Sequence, residues 1–114
     1  MEKSNHVVVL VTAKDVQEAQ KIANGLLEAK LVACANLVPQ IQSLFWWQGK
    51  IDQANEVLLV LKTQAKQVEL VIKKVKSLHS YDVPEVIALP IVAGNADYLK
   101  WIDESVTCFP KTIR

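Results

Sequence analysis

Two short runs limit what this chain can fold into: Val7-Val8-Val9-Leu10-Val11 and Val57-Leu58-Leu59-Val60-Leu61. Aliphatic, largely β-branched residues with no polar interruption suit a strand. Successive strand side chains point to opposite faces, so each run is apolar on both of its faces. A sheet with one face in water would alternate apolar and polar residues instead. A sheet built from these strands therefore needs cover on both sides.

The remaining elements say how much cover the chain supplies. Residues 6 to 13 read as the first strand, and Asp15 and Glu18 then stand in capping-box spacing. Val16, Ala19, Ile22, Ala23, Leu26 and Leu27 follow on one helical stripe that ends near Lys30. Residues 32 to 48 read as a long strand interrupted at Pro39, which cannot donate to a sheet ladder. Gln48-Gly49-Lys50 turns the chain into a return strand over 51 to 63. Thr63 is placed to cap a second helix carrying Val68, Val71, Ile72, Val75 and Leu78, with Lys73, Lys74, Lys76 and His79 toward its C-terminal end. A fourth strand is expected over 83 to 93, and Asn95 to cap a third helix bearing Tyr98, Leu99, Trp101 and Ile102.

The order β-α-β-β-α-β-α predicts an α+β protein: a ferredoxin-like βαββαβ sandwich with an extra C-terminal helix. Right-handed crossovers put the two main helices on one face of the sheet, which leaves the other apolar face for a partner. A second copy of the chain is the simplest such partner. The long hairpin agrees. Seventeen residues of strand would span roughly 55 Å, whereas a compact chain of this length has a radius of gyration near ~13 Å. The tip with Phe45, Trp46 and Trp47 should overhang its own subunit and pack on a neighbour.

The chain has 114 residues, 51% of them hydrophobic, and is expected to form a single domain over 1–114. No apolar run is long enough to span a bilayer, and the first is too short for a signal peptide. Cys34 and Cys108 are read as reduced thiols, which suggests a cytoplasmic protein. The net charge is +1, and the basic residues are twelve lysines and a single arginine, Arg114. Arginine is the usual bidentate grip on phosphate and guanine, so neither nucleic acid nor a membrane is an expected partner.

Several known uses of a ferredoxin-like fold lack their signatures here. A soft-metal chaperone would carry Cys-x-x-Cys after the first strand, where this chain has Thr12-Ala13-Lys14-Asp15. An acylphosphatase-like enzyme needs an arginine cradle. An RNA-recognition motif needs aromatics on a third strand that here reads EVLLVLKT. No nucleophile elbow, phosphate loop or zinc-protease pattern is present, so catalysis is not expected. His79 reads as a helix-end cation, Cys34 as a small core residue, and Lys62 as a lysine reaching out from a sheet edge.

Five blocks in fixed order add a different kind of information: KLVACANLVP at 30–39, FWWQGKI at 45–51, LKT at 61–63, HSYDVPEVIALPI at 79–91 and YLKWI at 98–102. Together they resemble the CutA family of divalent-cation tolerance proteins. The resemblance implies a homotrimer, similar in architecture to PII signalling proteins, that responds to copper and other divalent cations. It implies a site between subunits. On this chain the metal ligands would be His79 and Cys34, and the cleft would be lined by Lys62, Tyr81, Glu85 and Trp47. Some relatives carry a cysteine where this chain has Val11, and a second histidine where it has Leu78. Metal binding should accordingly be weak, completed by water or a neighbouring subunit. Convergence of His79, Tyr81 and Glu85 on Lys62 would favour a PII-like sensor of small molecules or partners. The same residues splayed into solvent would favour a purely structural trimeric scaffold.

Overall fold

The computed structural model describes residues 5–106. Four strands form one antiparallel sheet in the order β2-β3-β1-β4, with β1 His6–Ala13, β2 Cys34–Trp47, β3 Lys50–Gln64 and β4 Val86–Pro90. Helices α1 (Val16–Glu28) and α2 (Val68–Leu78) are the two crossovers, and α3 (Ala96–Ser105) follows β4. This is the ferredoxin-like arrangement expected from the order of elements.

Strand alternation sorts the two apolar runs. Val7, Val9, Val11 and Ala13 of β1, with Val57, Leu59 and Leu61 of β3, are buried together with Ala19, Ile22 and Leu26 of α1 and Val71 and Val75 of α2. Val8, Leu10, Leu58 and Val60 point the other way and are only half-buried. Helix α3 covers part of that second face. Ile102 is fully buried, and Asp103 Oδ1 accepts hydrogen bonds from His6 Nε2 and Gln64 Nε2, both at 2.9 Å. The remainder of the face stays open, including Ile87 and Leu89 on edge strand β4.

Asp15 caps α1, its Oδ1 accepting the Glu18 N–H at 2.8 Å. The reciprocal bond is displaced by one residue: Glu18 Oε1 accepts from the Lys14 N–H at 3.2 Å rather than from Asp15. Asn95 caps α3 as expected, accepting the Asp97 N–H. Thr63 does not cap α2. Strand β3 runs on to Gln64, a 3-10 turn (Ala65–Gln67) intervenes, and the buried Thr63 hydroxyl donates to the Leu31 carbonyl at 2.6 Å. Strand β4 is shorter than expected, because Val83 to Glu85 belong to the turn that leads into it.

Pro39 interrupts β2 as its missing donor requires, with the β2–β3 register slipping between Val38 and Ile41. Since β1 ends where Ala13 meets Val57, the hairpin beyond Glu56 is a bare two-stranded arm. Its turn is Gln48-Gly49, both at positive φ (50° and 78°), the geometry that closes a two-residue hairpin and that Gly49 adopts without strain. The arm stretches the subunit to 50 Å in its longest dimension and 22 Å in its shortest. Trp46 is 73% exposed and Trp47 58%, with Leu44 and Ile51 exposed beside them.

Candidate functional site

Two polar clusters stand out, and the residues expected to share one site divide between them. The first lies on the open sheet face. The pairing of β2 with β3 puts Cys34 opposite Lys62. Lys62 Nζ donates to Asn36 Oδ1 and lies 3.7 Å from Cys34 Sγ, and the thiol itself is 3.7 Å from Asn36 Oδ1. The Tyr98 phenol reaches this group from α3. Burial raises its pKa, and a charge interaction and hydrogen bond with Cys34 raise it further. Lys62 is thus held in a network rather than snorkelling into water, and Cys34 is half-buried rather than core. Asn36 and Tyr98 escape sequence reading, because only the strand register and the return of α3 bring them here.

The second cluster is built by the turn after α2. The His79 side chain is fully buried. Its Nδ1 accepts the Tyr81 N–H at 3.1 Å, so Nε2 carries the hydrogen donated to the Thr12 carbonyl at 2.7 Å. Glu18 accepts the Ser80 N–H at 2.8 Å and lies 3.8 Å from His79 Nδ1. The Tyr81 hydroxyl donates to Glu56 Oε2 at 2.7 Å, and burial followed by that bond raises the phenol pKa. The half-polar turn therefore locks the C-terminal end of β1, the first turn of α1 and the root of the arm together.

Within one subunit His79 and Cys34 do not meet. Lys62, beside Cys34, pairs with Val8, whereas His79 binds Thr12, four residues or roughly 13 Å further along β1. Both imidazole nitrogens are already used, so a metal ion would have to displace Thr12 or Tyr81. Among the described residues no group of three or more His, Cys, Asp or Glu could hold a metal ion. Glu85 is exposed, and Trp47 sits at the far end of the arm. Neither the convergence nor the splaying considered for this turn describes it: His79 and Tyr81 are packed inward, away from Lys62. Cys108 lies outside the described residues.

The carboxyl of Glu18 has a second consequence. Burial opposes its ionisation, but the hydrogen bonds from Ser80 and Lys14 outweigh burial and lower its pKa. The hydrogen bond from Gln64 does most to lower that of Asp103, which burial opposes and His6 and Lys66 lower further. Groups whose pKa falls on folding contribute stability above their unfolded values. That contribution is lost as pH drops through the lower folded values. Stability to urea should be flat from neutrality to about pH 5 and fall below roughly pH 4.5. Glu18→Gln should blunt that fall, and an unchanged acid limb would remove Glu18 from the account.

A ferredoxin-like sandwich with an extra C-terminal helix and an overhanging aromatic arm is the class that fold and site define. The chain belongs to the family described as CutA1 divalent ion tolerance protein, which matches residues 7–105. The divalent-cation tolerance protein CutA of Archaeoglobus fulgidus is 45% identical over 101 residues, covering 89% of this chain and 98% of that protein. The rice protein "CutA 1, chloroplastic" is 43% identical over 87% of this chain, which spans only 56% of its length. Among solved structures, rice CutA1 superposes with a TM-score of 0.90 at 40% identity, covering 94% of this chain and 98% of that one. The structure of the "periplasmic divalent cation tolerance protein CutA" of A. fulgidus gives 0.87 at 43% identity, with 90% and 99% covered. No described helix is long and apolar enough to cross a membrane.

Proposed function

We infer that this protein acts in divalent-cation tolerance as a cytoplasmic homotrimeric binding protein without a catalytic step. Its working site would be the cleft formed where one subunit's arm covers another's open sheet face. The observation that carries this reading is the arm. Trp46, Trp47, Leu44 and Ile51 are large apolar residues exposed on a two-stranded hairpin that no third strand supports among the described residues. A second copy supplies both the missing cover for the arm and an apolar face that needs covering. In such a trimer the cleft would draw Lys62 and Cys34 from one subunit and Trp47, with Phe45 and Trp46, from another. Tyr81 and Glu85 would edge it. The free thiol of Cys34 fits a reducing compartment.

Among the described residues, the donor set in one subunit does not complete a metal site. Cys34 is the one reachable soft ligand among them, and Lys62 Nζ lies 3.7 Å from its sulfur. Thiolate favours copper(I), so copper(I) should bind at Cys34 weakly, with water or a neighbouring chain supplying the rest. His79 serves as a structural clamp in this reading. Titration of the native oligomer with chelator-buffered copper(I) should show Cys34→Ser weaker than the parent by about tenfold or more. The His79→Gln variant should stay within about threefold of the parent. Equal affinity of parent and Cys34→Ser would remove the thiol from the reading.

A further inference from the structure

A cavity of about 350 Å³ lies between the first turn of α1, the bulge in β2 and the root of the arm. Its polar lining comes from Lys14, Asp15, Gln17, Gln40, Asn55 and Glu56. Glu56 is 9% exposed, an unusual degree of burial for a carboxylate. One of its oxygens is tied by the Tyr81 hydroxyl. Among the described residues the other oxygen has no hydrogen-bond partner, and Glu56 is part of the cavity wall. A deeply buried carboxylate at a cavity wall, with one oxygen tied and the other unpaired, is arranged to receive a positive charge.

The opposite wall has the complementary character. Asp15 takes up the Glu18 and Ala19 N–H groups at the start of α1. The Val16 and Gln17 N–H groups have no partner among the described residues. Free N–H groups at a helix start favour an anion, and the Lys14 ammonium, 3.8 Å from Asp15 Oδ2, offsets the charge of that capping carboxylate. The cavity volume is ample for a molecule of five to ten heavy atoms, on the order of the smallest ligand clefts.

We propose that this cavity binds a small amino acid, its ammonium on Glu56 and its carboxylate on the Val16 and Gln17 N–H groups beside Lys14. The site differs from the Cys34–Lys62 cluster and does not depend on metal. It deepens the sensor alternative, and it gives the buried turn a purpose: His79 fixes Tyr81, which fixes Glu56 at the cavity wall. A bare anion would meet the Asp15 and Glu56 carboxylates, and a bare amine would leave the helix start unanswered. Only a molecule with both charges satisfies both ends.

The test is an NMR titration of the native oligomer with L-alanine, using propionate and propylamine as single-charge probes. L-Alanine should shift the Val16, Gln17 and Glu56 amide signals saturably below roughly 10 mM, with each single-charge probe weaker by about tenfold or more. Glu56→Gln keeps an acceptor for Tyr81 and should preserve the fold while weakening L-alanine by about tenfold or more. Cys34→Ser should leave L-alanine binding unchanged even where copper binding is lost, which separates this site from the metal reading. The proposal is overturned by an absence of saturable shifts, by propionate or propylamine binding as well as L-alanine, or by undiminished binding to Glu56→Gln.

Discussion

The double variant Trp46→Ala, Trp47→Ala should be a folded subunit that no longer holds its assembly at micromolar concentration. In one subunit these rings are mostly exposed, so their removal costs little internal packing. Against a neighbour they become buried aromatic anchors, and truncating such an anchor costs ~2 to 4 kcal/mol per contact. A cyclic trimer repeats each loss three times, so either substitution alone removes ~6 to 12 kcal/mol from the assembly. Far-UV circular dichroism should keep its shape while the sedimentation coefficient falls. If mass and thermal stability both stay at parent values, the arm is not an interface element.

His79→Leu should be the most damaging single change in the turn. It leaves the Thr12 carbonyl without its donor and the Tyr81 N–H without its acceptor, both in a region where the ring is fully buried. Each orphaned group costs ~1 to 3 kcal/mol, so the expected loss is ~2 to 6 kcal/mol. Glu85→Ala, six residues on and exposed, should change stability by less than about 0.5 kcal/mol. Urea unfolding of the two variants beside the parent separates the roles. A His79→Leu protein as stable as Glu85→Ala would mean that the ring is a passive helix-end group.

The outcome at His79 shows where sequence reading stops. Its position at the end of α2 is legible from the stripe of Val68, Val71 and Val75, and its neighbours from the blocks shared with CutA proteins. What the ring does is not, because its partners Thr12 and Glu18 are more than sixty residues away. The same holds for Cys34, whose Ala-Cys-Ala setting reads as core until the register places Lys62 opposite it. Local signals did better. Asp15 and Asn95 cap as their spacing predicts, and the bulge at Pro39 follows from a missing donor. Thr63 misled because a hydroxyl before a helix resembles a cap that accepts an N–H, whereas burial beside Leu31 makes it a donor to the Leu31 carbonyl. Glu56 carries one weak signal, an acid at the junction of a polar arm and an apolar strand. The uninterrupted apolar runs of β1 and β3 called for cover on both faces; α1 and α2 cover one, and α3 covers part of the other, where a partner alone was expected.

Everything proposed for the cleft depends on copies of the chain completing one another. Sedimentation equilibrium of the unmodified protein at low micromolar concentration measures this most directly. The account predicts a single species of about three chains, stable to dilution, with no folded monomer accumulating. A soluble, well-folded monomer carrying its tryptophan arm free in water would contradict it.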